Sequence, residues 1–187
     1  MELTLILTTN FLEEPSDFMI FLGRFHPLVV HLPIGFLIMA VFAQFATSQP
    51  KFHPLKPFLK YFWGLGAFSA ALAVLFGYLL SLSGDYDEDI LFWHKWSGVA
   101  VLACSIACYF ISKKQQENST IPKWALILLT TGTIIYTGHL GGNLTHGQTY
   151  ILEYAPNPLR SMAGLPSKIE PRPKVTVLDS ADVYLDL

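Results

Sequence analysis

Six histidines in a chain almost without charge are the residues that could do chemistry: His26, His31, His53, His94, His139 and His146. Only 14% of the 187 residues are charged and 52% are hydrophobic, where a soluble domain carries about 25% charged residues. Imidazole in so apolar a setting is costly unless it has a partner, and ionisable groups inside a membrane are functional candidates by default. Neutral imidazole is also the commonest metal ligand among side chains. The composition excludes a disordered chain, a disulfide-stapled secreted module and a basic nucleic-acid binder, so no nucleic-acid partner is expected. A formal net charge of -2 points to no polyanionic partner either.

The elements that must position these histidines are membrane spans, each needing roughly 20 apolar residues. No Asp, Glu, Lys or Arg lies between Arg24 and Lys51, which predicts a first span from about Pro27 to Thr47. A second follows over Tyr61 to Gly84. The third begins near Ile90 and ends before Lys113, with Lys95 snorkelling outward from its first turns. The fourth runs from Trp124 to about Leu140 and breaks at Gly141 and Gly142. Leu3 to Leu12 is too short to cross and lacks the flanks of a secretory signal, so it reads as an amphipathic segment at the membrane surface. The expected fold class is all-α: a four-span antiparallel transmembrane helix bundle (25–150), after an N-terminal surface segment (1–24). An extended Pro-rich C-terminal tail (151–187) follows, because Pro156, Pro158, Pro166, Pro171 and Pro173 exclude a long helix. Val175 and Val177 suggest a short strand or docking segment in it.

Loop charges orient the bundle. Lys51, Lys56 and Lys60 fill the first inter-span loop and Lys113, Lys114 and Lys123 the third, while Asp85, Asp87, Glu88 and Asp89 fill the middle one. Basic loops stay in the cytoplasm, which puts both termini on the outer side. Trp63, Trp93, Trp96 and Trp124 fall near span ends, as an aromatic belt requires. Every histidine except His53 then lies at or just beyond the outer end of a span. With Pro27 as a first helical residue, His31 and His94 are each about one turn in. His139, fifteen residues after Trp124, stands about 22 Å up its helix. Three imidazoles from three helices thus reach similar depth.

Zinc would call for Cys, Asp or Glu beside them, and thioether-bound copper for Met; neither is at hand, Met39 being too deep. Haem needs only one or two axial histidines and a slot for its macrocycle. Gly35 and Gly98 lie one turn deeper than His31 and His94, and Gly132 two turns below His139. Haem b is therefore the expected cofactor, with axial ligands from His31, His94 and His139 and with His146 in reserve. The third imidazole would bond a propionate or a quinone, and Arg24 or Lys95 would pair with propionates. Asn143 or His146 could orient a ligating ring. The competing reading is a hydrogen-bonded polar cap, and His26 and His53 read best as interfacial hydrogen-bonding residues. Small residues in the second span equally suit close helix packing. Cys104 and Cys108 read as buried apolar residues, and without C-x-x-C-H no covalent haem is attached. GDYDED lacks calcium-loop spacing and reads as a solvated turn.

The segments GRFHPLVVHLPIGFL, LFWHKWSGVAVL and GHLGGNLTHGQTYILEYAP resemble the bacterial membrane family called domain of unknown function 2231, over roughly Arg24 to Pro156. His31, His94, His139 and His146 match its motif positions. The resemblance implies a bacterial inner-membrane domain of a kind that often precedes a periplasmic cytochrome-c-like domain, and DSADVYLDL looks like a lead-in to one. The expected function is a membrane electron-transfer subunit whose haem b, near the periplasmic face, passes electrons between the quinone pool and a periplasmic carrier. The alternative is a non-enzymatic anchor or scaffold subunit of a larger envelope complex, its tail docking on a periplasmic or membrane protein. A proton or metal-ion pathway lacks ionisable residues through the inner half.

Overall fold

The structure, a computed structural model, describes residues 15–84, 86–114 and 120–168, and of 120–122 the backbone alone. It divides into two units, 1–148 and 149–187. In the first unit the chain forms α1 (Asp17–Gly23), α2 (His26–Val29), α3 (His31–Ala46), a 3-10 segment (Pro50–Phe58), α4 (Leu59–Leu80), α5 (Glu88–Lys114) and α6 (Thr120–His146). Prolines explain why the first span comes in three pieces. A proline ring clashes with the carbonyl four residues back and offers it no N–H. Pro27 does this to Gly23, where α1 ends, and Pro33 does it to Val29, where α2 ends.

Four helical stretches are long and apolar enough to cross a membrane: Asp17–Ala46, Pro50–Leu80, Glu88–Lys114 and Lys123–His146. Each packs on the next in sequence, and α3 touches α6 only sparingly, closing an up-and-down bundle. Its centre holds Leu37, Ala40, Leu59, Trp63, Val101, Cys108 and Ile127. The buried hydroxyls of Ser105 and Thr130 bond their own helix, to the Val101 carbonyl at 2.6 Å and the Leu126 carbonyl at 2.7 Å, so they cost little in an apolar surround. Outward the bundle shows Phe42, Phe68, Leu128 and Ile135, each about two-thirds exposed, a surface for acyl chains rather than water. At Gly23 the packing needs the missing side chain: a Cβ there would run into the backbone of Leu79 and Leu80.

Three expectations change. The first span begins at Asp17 instead of about Pro27, so part of the proposed surface segment belongs to the bundle. The fourth helix does not break at Gly141 and Gly142; it runs to His146 and stops before Gly147, whose φ of 89° is left-handed. Trp63 is no belt residue but the largest fully buried side chain, while Trp93 and Trp96 do lie exposed. The acidic loop works as a cap: the Ile90 N–H donates to Asp87 Oδ1 at 2.9 Å, ahead of α5.

In the second unit, a 3-10 turn (Tyr150–Leu152) precedes α7 (Asn157–Met162). The described part of the tail carries these two short turns of helix and no long one. Pro158 sits in the first turn of α7, where a missing N–H costs nothing. Arg160 gathers the chain, donating to the carbonyls of Leu152, Glu153 and Pro166 at 2.7–3.0 Å. The segments Leu3 to Leu12, Val175 to Val177 and DSADVYLDL lie outside the described residues.

Candidate functional site

The two imidazoles that meet are His26 and His94, their ring centroids 6.2 Å apart and their planes nearly perpendicular at 85°. His26 stands at the start of α2, where the proline break turns the chain. His94 lies in the second turn of α5. His26 Nδ1 is 2.9 Å from the Ala73 carbonyl of α4, and His94 Nδ1 is 3.1 Å from the Thr137 carbonyl of α6. A carbonyl only accepts, so both rings carry their proton on Nδ1 and present a bare Nε2 lone pair. Neither Nε2 has a hydrogen-bond partner among the described residues.

The two halves of the site repeat one local device. Four residues beyond each accepting carbonyl stands a glycine, Gly77 after Ala73 and Gly141 after Thr137. A Cβ on Gly77 would lie 2.8 Å from His26 Cε1, and one on Gly141 3.0 Å from His94 Cε1. In a helix the carbonyl of residue i and the Cβ of residue i+4 share one patch of surface. Removing that Cβ lets a foreign ring reach a carbonyl already bonded within its own helix. Each helical hairpin therefore contributes one imidazole from its first helix and one carbonyl–glycine cradle from its second.

His31, His94 and His139 are not brought together; among the described residues no three His, Cys, Asp or Glu side chains form a metal-holding group. His31 and His139 are exposed on the bundle surface. His139 stands two residues from both Thr137 and Gly141, about 200° around the helix from the His94 contact. The Asn143 amide lies 3.3 Å from its Nε2, so this asparagine does orient an imidazole, though not one of the central pair. His146 is the exposed last residue of α6, and His53 is exposed in the 3-10 segment. Arg24 is exposed at the end of α1, and the Lys95 ammonium lies over the Tyr78 ring at 5.5 Å. Of the expected glycines, Gly35 and Gly132 face open space and Gly98 meets only the Thr137 methyl. His26, Gly77 and Gly141 carry roles the spacing argument did not assign.

The model of the family described as predicted membrane protein (DUF2231) matches residues 24–149, which span the whole constellation from His26 to Gly141. The chain belongs to this family. Neither a curated protein nor a solved structure matches it. In this chain the matched region is a four-helix bundle long and apolar enough to cross a membrane, and it carries the cradled imidazole pair.

A neutral imidazole is a competent metal ligand, and two of them lie side by side here. Thr137, whose carbonyl anchors His94, also has a buried hydroxyl with no hydrogen-bond partner, a sign of a polar group still to be supplied. Among the described residues no third His, Cys, Asp or Glu joins the pair in a metal-holding group.

Proposed function

We propose that this DUF2231 domain holds one b-type haem between His26 and His94 and serves membrane electron transfer at the histidine end of the bundle. The reading rests on one observation: two imidazoles from different helices, each with Nδ1 committed to a helical carbonyl and Nε2 uncommitted. Zinc would need one or two further donors. When bound, the haem would supply a one-electron couple tuned by its axial ligands and their hydrogen bonds.

The chain's own residues do the rest. The Ala73 and Thr137 carbonyls hold each ring in one tautomer and make Nε2 more basic. Gly77 and Gly141 set ring positions against rigid helix, so little reorganisation accompanies a change of charge. His31 and His139 take no ligating part in this account, and Arg24 and Lys95 remain basic groups available to acidic substituents at that level. The lysine-rich loops support a topology in which the histidine end faces the periplasm of a bacterial inner membrane, with both termini outside. Electrons would then pass between the quinone pool and a periplasmic carrier.

The test is the reduced-minus-oxidised spectrum of the full chain purified from membranes of a haem-replete host. A b-type band at about one haem per chain is expected. A colourless preparation would count against the reading and favour a structural anchor, with the two imidazoles as a polar cap.

A further inference from the structure

The second unit is built inside out. Its described residues, 149–168, are tied together by polar groups. Arg160 donates to the carbonyls of Leu152, Glu153 and Pro166. Asn157 exchanges hydrogen bonds with the backbone of Lys168, its Oδ1 accepting from the N–H at 2.9 Å and its amide donating to the carbonyl at 3.4 Å. None of these described residues is buried. The large apolar side chains point outward instead: Tyr150, Ile151, Tyr154, Leu159 and Met162 each expose more than half their surface, and Met162 exposes 84% of it. Ile151 and Tyr154 stand three apart, as do Leu159 and Met162, the spacing that sets two side chains on one side of a helical turn. Asn157 and Arg160 fall on the other side of α7. A segment this short cannot bury such a surface by folding on itself, so something else must cover it.

We propose that this unit lies on the bilayer surface, with Ile151, Leu159 and Met162 inserted at the boundary between headgroups and acyl chains and with Tyr150 and Tyr154 at headgroup level. Chain length names lipid as the occupant. Only Gly147, Gln148 and Thr149 separate Tyr150 from His146, the last residue of a helix long enough to cross the membrane. Four steps of extended chain reach about 14 Å at most, against a headgroup layer about 6 Å deep. The unit therefore begins at the surface where the span emerges. Segments that lie on a membrane bury their apolar face about 5–10 Å into that boundary. Tyrosine favours the same layer, where its ring is covered and its hydroxyl stays wet. Charge has little part in this contact, because Glu153 and Lys168 offset one another and Arg160 is engaged with carbonyls. A neutral lipid is enough, and neither the imidazole pair nor the side of the membrane enters.

Spin labels on the full chain, reconstituted into phosphatidylcholine vesicles, test this. The label is attached at Met162→Cys or, on the other side of α7, at Ser161→Cys, each in a Cys104→Ala, Cys108→Ala background. Oxygen concentrates in lipid, whereas a water-soluble nickel chelate, present on both sides of the vesicle wall, stays out of it. The Met162→Cys label should relax strongly with oxygen and lose most of the nickel relaxation seen at Ser161→Cys. If the cysteine-free chain does not fold, the chain with its native cysteines carries the same comparison once the signal from Cys104 and Cys108 is subtracted. Equal nickel relaxation at the two sites would overturn the proposal. A Met162→Cys label shielded from nickel and oxygen alike would assign the face to a protein contact and overturn the lipid assignment.

Discussion

Changing His26 or His94 to alanine is expected to strip the bound pigment from the purified domain, while His31→Ala and His139→Ala keep it. Losing an outer hydrogen-bond partner of a ligating histidine already costs about 10–100-fold in metal affinity; losing the ligand itself costs more. Both single variants should therefore emerge nearly colourless, or with a high-spin spectrum where one ligand still holds. Neither change leaves a buried charge, and the Ala73 and Thr137 carbonyls stay bonded within their helices, so the bundle should still fold. Helical circular dichroism of the purified variants checks that. Pigment loss in His31→Ala or His139→Ala with retention in His26→Ala would reverse the assignment.

Adding one methyl group at either cradle should have the second-largest effect. Gly77→Ala puts a carbon 2.8 Å from His26 Cε1 and Gly141→Ala puts one 3.0 Å from His94 Cε1. The ring cannot retreat without giving up its carbonyl, and overpacking of this kind costs about 1–3 kcal/mol. Haem content should fall by about tenfold in each variant, in line with loss of an outer-shell hydrogen bond. Gly35→Ala and Gly132→Ala add their methyl to open space and should change nothing. Titrating haem into the four apoproteins measures this contrast, and equal affinities across the set would sink the cradle argument.

The contrast also shows which part of the molecule was legible without coordinates. Four spans could be read because gaps in charge and runs of apolar residues follow directly from what a bilayer demands. Nominal distance along each helix was assignable as well, since rise per residue is fixed. Rotation was not. His31 and His139 are both exposed, and only knowledge of the neighbouring helices shows which face of α6 meets His94. His26 reads from sequence as an interfacial residue because Pro27 looks like a helix start. In fact α1 runs ahead of it through Phe18, Ile20, Phe21 and Leu22, and the proline marks a break inside one span. Gly141 and Gly142 looked like a helix end because glycine is a poor helix former. Here the contact between Gly141 and the His94 ring outweighs that preference. The signal that could have exposed the site is a glycine kept inside a span opposite a histidine, repeated in two successive hairpins.

The electron paramagnetic resonance spectrum of the oxidised, purified protein tests the central claim most directly. The account predicts one low-spin ferric signal with two imidazole nitrogens as axial ligands, abolished by His26→Ala and by His94→Ala and unaltered in His31→Ala and His139→Ala. A low-spin signal that survives His26→Ala, or a wild-type protein with no ferric haem signal at all, would contradict it.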